Sequence, residues 1–376
     1  MHALRFHPSV RCGIVAGALA LALGGVDAQV RVGVTNLVTD DPAAHPGTIV
    51  DPGLVNAWGI SFSPTSPFWV SSNGTDTSVL YSVNPGTQAT AKLGLVVTTP
   101  VGGVTGQVFN GNAGSFNGDL FLFVGEGGAI AGWRNSLGST AEILRIASTA
   151  DVYKGAALAT IAGTGYLYAA NFRSGTIDVL KGDAGAPDLA GHFVDPGLPS
   201  GYAPFNIQNL GGTMYVAYAL QDAAKVDEMA GPGLGFVSSF DVQGNFIARV
   251  ASGGSLDAPW GLAIAPSSFG ALAGSLLVGN FGDGRISAFD PTSHGFLGQL
   301  AGVDGTPLTI DGLWALSPGN GGNGGSKALL YFSAGPDDES HGIFGVLAPV
   351  PEPSSLLLMA AGLCAVAGLA RRRRIG

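Results

Sequence analysis

Cysteine is almost absent from this sequence, with only Cys12 and Cys364 among 376 residues. Both lie in apolar segments near the termini, so the chain between them folds without disulfides and offers no thiolate for zinc binding or catalysis. Charged residues are also scarce, at 11% of the sequence. No amphipathic helical pattern longer than two or three turns occurs between Val30 and Ala348, which excludes a helical domain there.

Motifs of common hydrolases are missing as well. The four histidines after the first 28 residues do not form an H-x-H or H-E-x-x-H spacing, and no Gly-x-Ser-x-Gly elbow is present. The glycine-rich stretch 319–325 has no following Lys-Ser/Thr or helix, so it does not predict a phosphate site. We therefore lean against an enzyme, although the sequence alone leaves the question open.

The two ends of the chain carry sorting patterns. At the N-terminus, Arg5 and Arg11 precede or border an apolar run over 13–25 and a small-residue cleavage pattern ending at Ala28. This pattern predicts a signal peptide over residues 1–28. At the C-terminus, an apolar run over 356–370 would span about 22 Å as a helix, and basic residues that resist translocation follow it.

The C-terminal segment begins with a Pro-Glu-Pro motif and ends with an arginine cluster, formed by Pro351, Glu352, Pro353, Arg371, Arg372, Arg373 and Arg374. These residues closely resemble the PEP-CTERM sorting signal of Gram-negative bacteria that make exopolysaccharide. The resemblance implies that residues 349–376 form a sorting helix, that the chain associates transiently with the inner membrane, and that an exosortase-type membrane protease removes the tail. The expected destination is the cell envelope or the extracellular space.

The body over residues 29–348 is acidic. Without the two end segments, 11 basic and 24 acidic residues remain, which gives a net charge of −13. Such a surface disfavours nucleic acid and anionic lipid as partners, and it is compatible with cations or neutral glycans.

A repeated hairpin pattern organises this body. The pattern Gly-x-(Ile/Val)-x-x-apolar follows a β-branched or aromatic run and begins at Gly128, Gly175, Gly235 and Gly284. With looser copies near Val79 and Ile343, the repeat spacing is 47 to 60 residues. Units of this length with several strands each predict an all-β, six-bladed β-propeller. The sixth unit lacks a last strand, and Val30–Val34 is a spare strand that we expect to close the ring.

Two further resemblances support this fold. Pro259-Trp260-Gly261-Leu262 followed by Asn280 is similar to NHL-type propellers. The segments 36–40, 51–60 and 230–233 look like a family of exported bacterial proteins of unknown function, many of which bear the same tail. This resemblance implies fold and export but carries no activity.

Polar residues at predicted loop ends suggest a funnel on one face of the propeller. Carboxylate and amide oxygens around such a funnel suit Ca²⁺ or sugar hydroxyls, although Asn and Asp also stabilise turns. Glu126 is the best catalytic or cation-binding candidate because it stands where other repeats have Asn. The predicted funnel residues are Asn73, Glu126, Asn171, Asn206, Asp222, Asn280, Asp311 and Asp337.

Two function classes follow. The first is an exported binding or interaction protein of the envelope or matrix, with exopolysaccharide or envelope glycans as its partners. The alternative is a Ca²⁺-dependent propeller hydrolase, lactonase or lyase with its site at the central channel. Three or four ligands that converge from separate blades are enough to form such a metal site. The ligand, the oligomeric state and the final location of the processed chain are not encoded in a recognisable motif.

Overall fold

Residues 30–350 of the computed structural model are described here, and they consist mainly of antiparallel β-strands. The predicted signal peptide and the sorting helix lie outside these residues. Short 3-10 turns occur at Asn73–Thr75, Phe116–Gly118, Asn135–Leu137 and Gly270–Leu272. Across residues 30–350, no helix is long and apolar enough to span a membrane.

The first half of the chain forms two terminal strands and the first three sheets, or blades. The terminal strands are β1 (Val32–Thr39) and β2 (Ile49–Val50). Blade 1 contains β3 (Ala57–Ser61), β4 (Phe68–Ser72), β5 (Thr77–Val83) and β6 (Thr90–Thr98). Blade 2 contains β7 (Val104–Phe109), β8 (Phe121–Gly125), β9 (Ile130–Trp133) and β10 (Glu142–Arg145). Blade 3 contains β11 (Tyr153–Ile161), β12 (Thr164–Asn171) and β13 (Thr176–Lys181).

The second half forms three more blades. Blade 4 contains β14 (Tyr202–Leu210), β15 (Thr213–Gln221), β16 (Glu228–Met229), β17 (Phe236–Phe240) and β18 (Phe246–Ser252). Blade 5 contains β19 (Pro259–Ile264), β20 (Leu276–Asn280), β21 (Ile286–Phe289) and β22 (Phe296–Gln299). Blade 6 contains β23 (Leu313–Pro318), β24 (Leu330–Ala334) and β25 (Ile343–Pro349), together with β1 and β2. The predicted six-bladed propeller is confirmed.

The first strands of the six blades form the inner ring of the molecule. Contacts between neighbouring blades connect β3 to β7, β7 to β11, β11 to β14, β14 to β19, β19 to β23, and β23 back to β3. We call the end of this ring where these strands begin the upper mouth, and the end where they finish the lower mouth. Between blades the core is apolar and aromatic; Trp69 of blade 1, for example, stacks on Phe121 of blade 2 with ring centroids 3.9 Å apart.

Left-handed glycines explain the hairpin pattern. Gly128, Gly175 and Gly284 have φ of 76°, 75° and 67°, a conformation that costs L side chains energy but is accessible to glycine. At Gly284 an added Cβ would also lie 2.2 Å from the carbonyl oxygen of Ile310. Glycine therefore recurs just before the third strand of these blades because the turn requires it.

The N-terminal strand closes the ring as predicted. Strand β1 pairs antiparallel with β25, from Val32 opposite Pro349 to Thr39 opposite Ile343. Its side chains Val32, Leu37 and Val38 are buried. Blade 6 therefore combines the two ends of the domain in one sheet, and its last strand would otherwise expose an unpaired edge.

In the described part of the chain, blade 3 has no fourth strand, although the repeat pattern predicts one at His192–Asp195. That stretch is not a strand. Phe193 has φ of +53°, and its backbone N–H donates to Gly244 of blade 4, 3.0 Å away. Asp195 accepts a 2.5 Å hydrogen bond from Nε of Arg249. Pro187 and Pro196 flank the stretch and lack the N–H that a strand would donate, so the segment packs on blade 4 instead.

Candidate functional site

A β-bulge recurs near the start of the first strand in every blade. The register shifts between Ala57 and Ile60 in blade 1, and at the corresponding place in each of the other five. A bulge re-aims the side chain at its position. We call the six residues at these bulges the axial ring; each is at most 2% exposed, and they are Trp58, Thr105, Lys154, Phe205, Trp260 and Trp314.

Aromatic members of the axial ring fill the channel. Trp58 stacks on Trp314 with ring centroids 3.7 Å apart, and Phe281 stacks on the same indole at 4.0 Å. Trp260 packs edge-on against Trp314 at 6.0 Å. Trp58 and Trp260 recur at equivalent first-strand positions, which predicts core packing over a sugar-stacking surface, and their burial confirms it. We refer to these four rings as the aromatic plug.

Lys154 is the charged exception in the axial ring. Its Nζ lies 5.3 Å from the ring centroid of Trp58, 2.5 Å from Oε1 of Glu126 and 3.1 Å from Oδ1 of Asp227. The lysine side chain is 2% exposed, whereas those of Glu126 and Asp227 are 28% and 64% exposed. A buried ammonium must be paired, so the two carboxylates at the upper mouth keep Lys154 charged inside an otherwise aromatic channel.

Asparagine side chains extend this pair into a network. Nδ2 of Asn73 donates to Oε2 of Glu126 over 2.9 Å. Nδ2 of Asn56 lies 2.5 Å from Oε2 of Glu339 and 3.4 Å from Oδ1 of Asn73. Oδ1 of Asn56 accepts the indole N–H of Trp314 at 2.9 Å, which joins the network to the plug. With Glu228, these residues form the funnel cluster: Asn56, Asn73, Glu126, Lys154, Asp227, Glu228 and Glu339.

Three residues of the funnel cluster have pKa values raised above their ordinary values. Burial raises the pKa of Glu228 to about 7; Lys154 opposes this shift, and the neighbouring carboxylate of Glu339 adds to it. Burial also raises the pKa of Glu339, against the hydrogen bond from Asn56. For Lys154, burial lowers the pKa, but the negative charges of Glu126 and Glu228 outweigh it and hold the pKa above its ordinary value.

A strained turn presents Glu339 to the cluster. Asp337, Asp338 and Glu339 have φ of 55°, 52° and 63°, and three consecutive non-glycine residues in this region are unfavourable. The turn is held because the N–H of Asp337 donates to Oδ2 of Asp311 over 3.0 Å, and because Oδ2 of Asp337 lies 2.8 Å from Nε2 of His45. Backbone strain of this kind is typical of positions where the placement of a side chain matters for function.

The structure brings some of the predicted funnel residues together. Asn73 and Glu126 are in direct contact, although Asn73 contributes an amide N–H there and not the oxygen that was expected. Asp337 lies in the strained turn beside the cluster, and Asp311 accepts its backbone N–H. Asp222 accepts the backbone N–H of Val226 at 2.8 Å and so shapes the loop that carries Asp227 and Glu228.

Three other predicted residues make hydrogen bonds outside the cluster. Asn171 donates to Oδ1 of Asp151 at 2.8 Å, and Asn206 donates to the carbonyl oxygen of Trp260 at 2.7 Å. Asn280 donates to the carbonyl oxygen of Ser255, also at 2.8 Å. All three are buried. Asn171 also accepts the backbone N–H of Ser174 and Asn280 donates to Asp283, which matches the turn-stabilising alternative. Asn206 instead links blade 4 to blade 5.

Asp227 and Glu228 were missed by the sequence analysis. They sit in an insertion between the second and third long strands of blade 4, where β16 pairs Gln221 with Glu228. Lys225, Asp227 and Glu228 form a charged stretch in a chain that is only 11% charged. This concentration of charged residues lies in the longest of the loops that join second and third strands. It was the sequence signal that could have pointed to Asp227 and Glu228.

Within residues 30–350, no group of three or more His, Asp or Glu side chains has the arrangement of a metal site. In the funnel cluster the ammonium group of Lys154 lies where the carboxylates of Glu126 and Asp227 approach each other. Ca²⁺ binding stays a prediction.

Glu228 should make folding stability depend on pH. The pKa of Glu228 is raised from 4.5 to about 7 in the folded protein. Below pH 4.5 the carboxyl group is protonated in both states and costs nothing. As the pH rises toward 7, the unfolded state ionises first and the free energy of unfolding falls. The shift corresponds to about 3 kcal/mol. We expect Glu228→Gln to be more stable than the wild type at pH 8, by up to that amount, and equally stable at pH 4. Urea unfolding at both pH values measures this, with Asp188→Asn, at a carboxylate that is 92% exposed, as control; a gain that is the same at both pH values would contradict it.

Fold and site together define a class: an all-β, six-bladed propeller with a plugged channel and a charged cluster at one mouth. At its C-terminus, residues 349–374 match the PEP-CTERM protein-sorting motif. This motif implies an exported, envelope-sorted protein that is processed by an exosortase-type system.

The particular family follows from sequence comparison. The chain is 31% identical over 319 residues to uncharacterized protein R648 of Acanthamoeba polyphaga mimivirus, covering 81% of this chain and 76% of the relative. It is 32% identical over 324 residues to uncharacterized protein L690 of the same virus, covering 81% and 82%. The chain therefore belongs to the family of these two proteins.

Among solved structures, an α-L-arabinanase of Penicillium chrysogenum, complexed with arabinobiose, is similar with a TM-score of 0.53. The likeness covers 85% of this chain and 98% of that one at 11% identity. It supports the propeller fold.

Proposed function

We propose that this protein is a binding protein of the cell envelope or extracellular matrix, and that envelope or exopolysaccharide glycans are its partners. The ligand contacts the funnel cluster, with Glu126 and Lys154 as the central polar groups. The observation that carries the proposal is the buried Lys154–Glu126 pair, which is joined through Asn73 and Asn56 to Glu339.

The chemistry of this cluster suits sugar hydroxyl groups. A hydroxyl both donates and accepts hydrogen bonds, so one sugar ring can donate to the carboxylates and accept from asparagine and lysine. An ammonium group has three donors, and two of those on Lys154 are directed at Glu126 and Asp227. The acidic body disfavours anionic partners.

Export and release are the second part of the proposal. The signal peptide delivers the chain across the inner membrane, and the C-terminal segment holds it there transiently until the tail is cut after about Pro353. Intact mass of the protein from its native host tests this, with a chain beginning near Gln29 as the expected result. A chain outside the cytoplasm that still carries Arg371–Arg374 would contradict it.

Binding can be tested by co-sedimentation of the secreted protein with purified exopolysaccharide of the host. We expect Glu126→Gln to weaken binding about tenfold or more, because a hydrogen bond to a charged group contributes about 1.5–3 kcal/mol. Glu142→Gln, in the outer strand of the same blade, is the matched control. Equal binding by wild type, Glu126→Gln and Lys154→Met would overturn the assignment of the funnel cluster.

A second candidate is the Ca²⁺-dependent hydrolase, lactonase or lyase that the sequence suggests, with its active site at the same cluster. The raised pKa of Glu228, about 7, favours it, because catalytic acids and bases are often tuned toward neutral pH. Metal analysis of the purified protein and a pH profile of lactone and glycoside hydrolysis test this candidate. Absence of turnover, with no stoichiometric metal, would leave the binding function.

A further inference from the structure

A second cavity lies at the lower mouth of the ring, away from the funnel cluster. Its volume is about 310 Å³, and its walls are the final residues of the first strands of blades 1, 2, 3, 4 and 6. The lining residues that matter here are Ser61, Phe62, Gln107, Phe109, Gln208 and Asn209. The aromatic plug formed by the axial ring occupies the other end of the same strands, so the two mouths are chemically separate.

The lining of this cavity is uncharged. Within residues 30–350, no Asp, Glu, Lys, Arg or His side chain contributes to it; the walls are amide, hydroxyl, aliphatic and aromatic. Phe62 and Phe109 are half-buried and belong to the lining. An uncharged wall offers nothing to offset the desolvation of an ion, whereas aromatic rings with a few placed polar groups are typical of small-molecule sites.

Some polar side chains of this cavity form hydrogen bonds within the protein and others do not. Gln107 accepts from Ser78 at 2.9 Å and donates to the carbonyl oxygen of Gly59 at 2.8 Å. Asn209 donates to the carbonyl oxygen of Leu158 at 2.9 Å. The side chain of Gln208, in contrast, makes no hydrogen bond to residues 30–350.

Ser61 gives an independent sign of a missing partner. Its side-chain oxygen is buried without a hydrogen bond within the described part of the chain, and the residue is 8% exposed. Buried hydroxyl groups are normally paired, and an unpaired one calls for a reason. Ser61 and Gln208 thus leave hydrogen-bonding capacity next to a cavity whose other amides are satisfied.

We propose that the lower mouth binds a neutral sugar unit, independently of the ligand at the funnel cluster. The apolar face of the sugar ring lies against Phe62 and Phe109, and its hydroxyl groups bond to Gln208 and Ser61. A volume of about 310 Å³ lies at the lower end of the range for ligand sites, and it suits a monosaccharide or a disaccharide. With ligands at both mouths, one protein molecule would link two glycan chains.

Saturation-transfer NMR on the secreted protein tests this site. The probes are the methyl glycosides of glucose, galactose, mannose and rhamnose, with glucuronate and glucosamine as charged counterparts. We expect saturation transfer to at least one neutral glycoside, and none to glucuronate or glucosamine. Gln208→Leu should weaken binding about fivefold to tenfold, and Ser317→Tyr, which fills the cavity, should abolish it. Gln299→Leu, on the outer strand of blade 5, should bind like the wild type.

Two results would overturn the proposal. One is no transfer to any neutral glycoside; the other is transfer that persists in both Gln208→Leu and Ser317→Tyr although both variants keep the wild-type melting temperature. Glu126→Gln separates the two sites, because it should leave neutral glycoside binding at the lower mouth unchanged while it weakens binding at the funnel cluster. Loss of glycoside binding in Glu126→Gln alone would place the sugar at the funnel and contradict a separate lower site.

Discussion

Removal of residues 30–37 is expected to unfold the propeller as a whole, and not merely to loosen its N-terminus. The deletion takes away most of β1, so β25 loses its partner from Val32 onward. Edge exposure, loss of the buried Val32 and Leu37 side chains, and loss of ring closure all act on blade 6. Because blade 6 contacts both blade 1 and blade 5 through the inner ring, the damage propagates in both directions.

A matched pair of point substitutions tests the same claim without shortening the chain. Val38 and Val34 lie on the same strand, but Val38 is fully buried and Val34 is 45% exposed. We expect Val38→Asp to lower the free energy of unfolding by about 4 kcal/mol or more, since it buries an unpaired charge. Val34→Asp should change it by about 0.5 kcal/mol or less. A cooperative, wild-type transition in the deletion variant, or equal effects of the two aspartates, would show that β1 does not close the ring.

Lys154→Met is expected to give the second large effect. The substitution introduces an unbranched apolar side chain of similar length but leaves the carboxylates of Glu126 and Asp227 without their counter-charge. Removing one partner of a buried pair costs about 3–5 kcal/mol. Glu126 and Asp227 are 28% and 64% exposed and can recover some hydration, so we expect a loss of about 2 kcal/mol at pH 8.

The pH dependence separates charge from packing in this variant. At pH 4 the cluster carboxylates are more protonated, and the penalty of Lys154→Met should shrink; a double variant that also carries Glu126→Gln should be more stable than the single one at pH 8. Lys181→Met is the control, because Lys181 pairs with Asp188, which is 92% exposed, and exposed pairs contribute little. A loss in Lys154→Met that is independent of pH would assign Lys154 a packing role only.

The structure also changes the expected effect of Glu126→Gln. From the sequence alone, a side chain at the mouth is expected to contribute little packing, so that Glu126→Gln would leave folding almost unchanged. Glu126 instead balances the charge of buried Lys154 over 2.5 Å, so its neutral variant should lower stability as well as binding. Binding data for this variant are therefore best compared at a temperature well below its melting transition.

Much of the fold was predictable because it is encoded locally. Hairpin glycines such as Gly175 and Gly284 mark left-handed turns, and the apolar run from Leu276 to Asn280 is a fully buried strand. Strand β1 was predictable by counting, since one blade lacked a strand and one strand lacked a blade. Blade 3 was mispredicted because the contacts of Phe193 and Asp195 come from blade 4, far along the chain.

The funnel cluster was harder to predict because it depends on bulges and long-range contacts. Lys154 is separated from Asp227 by 73 residues and from Glu126 by 28. The repeat pattern places Lys154 at the same mouth as Trp58 and Trp260, but it does not show that a bulge at each position turns the three side chains into one ring. Asn171 and Asn280 resembled Asn73 in sequence, yet within their own turns Asn171 accepts the N–H of Ser174 and Asn280 donates to Asp283.

The most direct test of the proposed function is nitrogen-15 NMR of the lysine ammonium groups of the secreted protein, titrated with purified host exopolysaccharide. The buried Nζ of Lys154 should give a signal distinct from those of the more exposed lysines, because it is held by Glu126 and Asp227. If the funnel cluster is the contact site, this signal shifts as polysaccharide is added, and the signal of Lys181 stays in place. Binding of the polysaccharide with an unchanged Lys154 signal, or no binding at all, would contradict the account.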